Sequence, residues 1–222
     1  MDSNDPTQVA IDAQSHTGGR LANVVSAIAL TFSGYSVWET SLKQSDLKVF
    51  VAPVIQYASP YNNSNFEMLA IPITITNEGA RTGTILSAEL LVTDPEKKLS
   101  KRFYSADFGR WSVENARTGN FKPFAPMSLA GRASQTETIL FHPRRDETVM
   151  QLIAATGRYQ FTLKLNVALT EDFGFLDRAW RKAPDPLSFE MILPVLDHRA
   201  FTSGAGSLPM HHKDWQTTAS GG

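Results

Sequence analysis

His142 and Asp107 are the side chains whose types best suit proton transfer: an imidazole that titrates near neutrality and a carboxylate that could orient it. His142 ends a strand-like run just before Pro143-Arg144-Arg145-Asp146-Glu147, where a solvated turn histidine is the first expectation and a general base or ligand the second. His211, His212 and Asp214 combine metal-ligand types at short spacing, and Asp197-His198 is another such pair. All of these lie beyond the last strand-like run, in a Gly/Ser/Thr-rich stretch that offers no fixed geometry, so adventitious metal contact is the expectation there.

The usual signatures of catalysis and cofactor binding do not occur. There is no Walker-type phosphate loop, no strand-to-helix G-x-G-x-x-G and no H-E-x-x-H. Gly34-Tyr35-Ser36 lacks the second glycine of a nucleophile elbow. The 222 residues contain no cysteine, which removes disulfides, thiolate metal sites and a cysteine nucleophile together. The expectation is therefore a non-enzymatic protein with no catalytic, cofactor-binding or metal residues and no cofactor. The alternative is an enzyme with a loop-assembled site in which His142 and Asp107 take part.

Two basic clusters bear on partners. Lys97, Lys98, Lys101 and Arg102 follow Asp94-Pro95 and suit a solvated hairpin loop. The segment from Asp172 to Asp185 carries Phe175, Ala179 and Trp180 on one helical face, with Arg178, Arg181 and Lys182 elsewhere, and its favoured role is a crossover packing Trp180 on a sheet edge. Trp111, between Phe108 and Val113, is expected in the core. With 21 basic and 22 acidic residues the formal net charge is -1, so no global field recruits nucleic acid, and none is expected as a partner.

The elements that would position these groups follow from hydrophobic period. Residues 1–20 are polar and turn-rich and are expected to be disordered. Leu21 to Trp38 (LANVVSAIALTFSGYSVW) holds no charge, and a stretch of that length is the minimum for crossing a hydrocarbon core as a helix. A single membrane span over 21–40 is expected; the alternative is an amphipathic helix that packs on the domain or pairs with a copy of itself. Leu21, Val25, Ile28, Phe32 and Tyr35 share one face, while Ala22/Ser26 and Ala29/Ser33 form small-xxx-small pairs.

From Leu47 the period changes to two. Leu47–Tyr57, Met68–Thr76, Thr84–Thr93, a short Lys101–Ser105, Phe121–Leu129, Ser134–Phe141, the run from Tyr159 to Leu169 and Ser188–Pro194 are expected as strands. Seven or eight strands without helices between them imply a mainly β, immunoglobulin-like antiparallel β-sandwich over 44–196, preceded by one N-terminal helix. A flexible tail is expected over 197–222. Thr76-Asn77-Glu78-Gly79-Ala80-Arg81-Thr82-Gly83 reads as a turn, with Asn77 bonding its own backbone and Gly79 and Gly83 free to take positive φ.

The stretch SAIALTFSGYSVWETSLKQSDLKVFV leading into a strand, followed by the ITNEGARTGTI turn, resembles a group of uncharacterised bacterial signal-anchored proteins with an exported immunoglobulin-like β-sandwich domain. The resemblance covers the first half of the chain through these motifs and the rest by pattern. It implies a single-pass protein of the bacterial inner membrane with a cytoplasmic N-terminus and a periplasmic β domain, and it brings no catalytic residues. The functional expectation is a membrane-anchored, non-enzymatic module binding a protein or envelope component. A soluble structural protein that oligomerises through its N-terminal helix is the remaining alternative.

Overall fold

Strands form wherever the sequence alternates, and their pairing builds a barrel. The computed structural model describes residues 6–59, 67–110, 112, 120–146, 148–149, 151–168, 184–196 and 207–214. The chain divides into two units, Met1–Lys43 and Gln44–Gly222.

The first unit is helical. α1 spans Pro6–Val37 and is followed by a π-helical turn, Trp38–Leu42, in which the Lys43 amide donates to the Trp38 carbonyl at 2.9 Å. Residues 6–20, expected to be disordered, are part of this helix. Pro6 suits the first helical position because its missing N–H would have had no partner there, and Gln and Ala in the first turns are good helix formers. Thr31 Oγ1 donates to the Ala27 carbonyl (2.9 Å) and Thr40 Oγ1 to the Ser36 carbonyl (2.7 Å), each hydroxyl turned back on its own helix.

No helix among the described residues is long and apolar enough to cross a membrane. That overturns the transmembrane, signal-anchor reading of residues 21–40 and the inner-membrane, single-pass localisation that rested on it. The physical reason lies in the residues between the aliphatics. Asn23, Ser26, Thr31, Ser33, Gly34 and Ser36 carry no charge yet contribute little hydrophobicity, and crossing hydrocarbon needs apolar surface as well as neutrality.

The second unit holds β1 (Leu47–Val51), β2 (Val54–Ala58), β3 (Met68–Asn77), β4 (Gly83–Asp94), β5 (Leu99–Phe108), β6 (Lys122–Pro123), β7 (Met127–Leu129), β8 (Ser134–Pro143), β9 (Gly157–Val167), β10 (Leu187–Leu193) and β11 (Leu208–His212). Eight of them close on themselves in the order β5-β8-β3-β2-β11-β10-β9-β4 and back to β5, every pairing antiparallel. β1 runs along β3 beyond β2, β6 pairs with β5, and β7 pairs with β4.

This closed barrel replaces the expected immunoglobulin-like sandwich. A sandwich leaves each of its two sheets with edges, whereas here β4 pairs with both β5 and β9, and β5 with both β4 and β8. Register shifts between Ile85 and Ser87 on β4 and between Ser105 and Asp107 on β5 bend these long strands, as bulges do. The expected strand through Pro53 is broken into β1 and β2 there, because proline cannot donate to a ladder. The expected flexible C-terminal tail contains β11, which inserts between β2 and β10 and completes the ring.

Inward-facing side chains fill the interior. Ile55, Ile71, Phe103, Phe141, Phe161 and Met191 are fully buried within one continuous core. Each such side chain is worth roughly 1.5–3 kcal/mol of transfer free energy.

Strand register defines two ends. At one, Ala58 pairs with Met68, Tyr57 with Leu208, Phe103 with Pro143 and Leu193 with Gly157. The connection from β8 to β9 belongs to this end, and its Leu152 and Ile153 are buried in the core. The other end is gathered around Asn77, where β1, β3, β4, β7 and β8 begin or finish.

Candidate functional site

Outward-facing residues of β4, β5 and β8 meet around Tyr104. Tyr104 lies opposite His142 on β8 and opposite Glu89 on β4, and the two rings stand 6.4 Å apart, tilted. His142 Nε2 is 3.9 Å from Asp107 Oδ2, so the fold brings together the two residues named from sequence as the core of an enzyme site. Their side chains retain 22% and 27% exposure, at the rim of solvent rather than within it. Burial pushes the His142 imidazole below its ordinary value, and the Asp107 charge opposes that shift. His142 is therefore mainly neutral at pH 7 and able to accept a proton.

Next to this pair is a shallow depression, open to solvent, lined by Tyr104, Arg144, Arg145 and Asp146. Asp146 accepts from Arg102 Nη2 and from Arg144 Nε, each at 3.3 Å, and Arg144 Nη1 lies 3.9 Å from Glu89 Oε1. Arginines and carboxylates thus largely offset one another across this face. As exposed ion pairs they contribute little stability and present no single-sign field. The arrangement offers a base at the barrel wall beside an open hollow.

A second polar group lies inside, at the β8–β9 end. Glu67, immediately before β3, and Lys101, on the inner face of β5, are both 0% exposed, and Lys101 Nζ donates to Glu67 Oε2 at 2.7 Å. Glu67 Oε1 accepts from the Ile153 amide (2.9 Å) and the Tyr57 hydroxyl (3.0 Å), while the Leu152 amide is shared between the two carboxylate oxygens at 3.1 and 3.2 Å. Tyr57 OH also lies 2.9 Å from the Ile153 carbonyl, so its one proton serves two acceptors. Gln151 Nε2 reaches the Ile153 carbonyl (3.0 Å), Ser59 Oγ (3.2 Å) and Tyr57 OH (3.4 Å). Burial, and then the Glu67 charge, raise Tyr57 far above the usual phenol range, so it stays neutral. The satisfaction of these groups makes the cluster a structural clamp: a buried pair costs desolvation, which the surrounding donors offset.

Sequence reasoning missed this cluster. The sequence places Lys101 in a solvated hairpin loop together with Lys97, Lys98 and Arg102, and also at the start of a short strand, Lys101–Ser105. The turn itself exists, with Asp94 Oδ1 accepting from the Glu96 and Lys97 amides at 3.0 and 3.1 Å. The signal available was the phase of β5: Lys101 lies two residues from the buried Phe103, on the same inward face.

The C-terminal histidines lie on β11, whose neighbouring residues project to opposite faces, so His211 and His212 do not chelate one ion together. His212 Nδ1 is 3.6 Å from Asp214 Oδ2. Among the described residues no three His, Cys, Asp or Glu side chains are grouped to hold a metal. Asp197-His198, Trp111 and nearly all of the Asp172 to Asp185 segment lie outside the described residues.

Comparison with known proteins adds little. No protein-family model matches the chain, and no curated protein matches it. A solved structure with some likeness is that of a protein from Bordetella pertussis provisionally named ApaA, at 14% identity and a TM-score of 0.30, covering 77% of this chain and 97% of that one. A likeness of that size carries no function over.

Proposed function

We propose that this protein is an assembly module: a β-barrel joined to a helix that pairs with the same helix of a second copy. The observation that carries the reading is an exposed apolar seam on α1. Val25, Ile28, Phe32 and Tyr35 are 62%, 52%, 70% and 64% exposed, and their spacings of three, four and three residues give a repeat near 3.5. That repeat is the mark of a helix facing another helix.

The chain's own features favour a second copy as the occupant. α1 is the one long helix among the described residues, so a helical partner comes from another chain. The seam is flanked on one side by Ala22, Ala29 and Ser36, whose small side chains permit close approach, and no charge within Leu21 to Trp38 repels an identical helix. Burying four large side chains per copy would remove roughly 1.5–3 kcal/mol each of exposed apolar cost, before the entropy of association is subtracted.

Sedimentation equilibrium of the full chain over a wide concentration range tests this. A concentration-dependent dimer or higher oligomer is expected, with Phe32→Asp shifting the population to monomer and leaving the strand signal in circular dichroism intact. A wild-type chain that stays monomeric at high micromolar concentration would end the proposal. Because the chain has no cysteine, Ile28→Cys adds a clean second readout: a seam position should crosslink between copies under mild oxidation.

A further inference from the structure

We infer that residues 151–153 form a strap that opens one mouth of the barrel as a local event, with the Glu67 carboxylate as its clasp. In the closed state Leu152 and Ile153 sit in the core at the end where β8 passes to β9. Their amides do not join a strand ladder. Both are taken by Glu67, at 2.9 to 3.2 Å. The remaining polar ties of the strap converge on the same place: the Ile153 carbonyl on Tyr57 OH, and the Gln151 side chain on Tyr57 OH and Ser59 Oγ.

A strand is held by a row of backbone bonds distributed along it, so it opens only with its neighbours. The strap is held at one place, through one carboxylate, the phenol beside it and the Gln151 contact to Ser59, so its polar ties are released together while every strand pairing remains. Local opening is drawn from such places, where few hydrogen bonds separate the closed from the open state. The clasp is itself held from the barrel side by Lys101, which stays with β5 when the strap lifts. The open state therefore presents the Lys101 ammonium, the Glu67 carboxylate and the Tyr57 hydroxyl to water at the mouth of an otherwise apolar interior.

Amide hydrogen exchange on the full-length protein tests the strap. The Leu152 and Ile153 amides should exchange at least about tenfold faster than those of β3 and β9, with a weaker dependence on denaturant, since the opening exposes little surface. Glu67→Gln should raise the exchange rate of the Leu152 and Ile153 amides themselves by a further factor of about ten. In parallel, acetylation of Lys101 in the wild type should follow the strap's opening equilibrium rather than that of global unfolding. If the Leu152 and Ile153 amides exchange at the strand rate and with the strand denaturant dependence, the strap opens only by global unfolding and the inference is overturned. Unchanged Leu152 and Ile153 exchange rates in Glu67→Gln would remove Glu67 as the clasp. Should that variant fail to fold, Glu67→Gln combined with Lys101→Met removes both charges and allows the same strap rates to be read.

Discussion

Glu67 and Asn77 stand at the two ends of β3, and each buried side chain gathers the backbone of a connection at its own end of the barrel. Glu67 holds the amides of Leu152 and Ile153. Asn77 Oδ1 accepts from the Asp46 and Gly79 amides at 3.1 and 3.0 Å, while its Nδ2 donates to the carbonyls of Arg81 (2.7 Å), Leu129 and Ala130 (both 3.2 Å). Ten residue steps along β3 place the two clamps about 33 Å apart. One strand thus carries both of the polar devices that fix where chain segments cross the barrel ends.

Removing one partner of the Glu67–Lys101 pair leaves the other charge buried. Glu67→Gln and Lys101→Met should each lower stability by about 3–5 kcal/mol in denaturant titrations. The double variant should lose less than the sum of the two, by roughly 1–3 kcal/mol, because the second substitution removes the charge that the first left unpaired. Additive losses would mean that the two groups do not act as a pair.

Asn77→Ala should cost about 3 kcal/mol by the same measurement, since several backbone donors and acceptors lose their partner at once. Asn77→Asp should not recover that loss. Its carboxylate can still accept from Asp46 and Gly79, but it would face three carbonyl oxygens that now receive a proton. Recovery of wild-type stability by aspartate would show that the acceptor half alone matters.

Gly79 and Gly131 serve close approach, and the positive φ expected at Gly79 and Gly83 is not what either provides. A Cβ at Gly79 would overlap the Gln44 carbonyl, and one at Gly131 the Ala80 carbonyl, and a backbone carbonyl cannot swing aside as a side chain can. Gly79→Ala and Gly131→Ala should each cost at least about 2 kcal/mol. Gly34→Ala, with open space around its position on α1, should instead raise helix content, by about 1 kcal/mol in favour of the helix.

His142 should make the barrel less stable in mild acid. Burial holds its folded-state pKa below the ordinary 6.5, so the folded protein binds fewer protons than the unfolded chain as pH falls through that value. Its contribution is fully present above 6.5 and declines towards the lower folded value. Stability followed from pH 7.5 to 5 should therefore fall in the wild type and fall less in His142→Gln. Equal slopes would place the acid sensitivity elsewhere.

How far the sequence reaches can be judged from single residues. Alternation marked β3 and β9 and told which of their side chains face inward, because a strand's period is a property of consecutive residues. It also put Asn77 at a turn, and the bond from the Gly79 amide to Asn77 Oδ1 has that Asx form. The uncharged run on α1 was visible too, although its polar uncharged residues leave it short of the apolarity that a membrane-crossing helix needs.

Closure was not legible. β11 is five residues long and follows a Gly/Ser-rich stretch, so locally it resembles a tail; it becomes a strand because β2 and β10 leave a gap whose unpaired backbone groups it satisfies. The clamp at the other level was equally hidden, since Glu67 and Lys101 lie 34 residues apart and nothing local to either names the other. By itself the sequence marked the alternating strands such as β3 and β9 and the helical character of Leu21 to Trp38, and its lack of cysteine excludes thiol chemistry. Tertiary structure alone decided which strands pair, that the sheet closes, and which distant charges meet inside, because those outcomes are set by hydrogen-bond satisfaction and burial across the whole chain and not by the order of neighbouring residues.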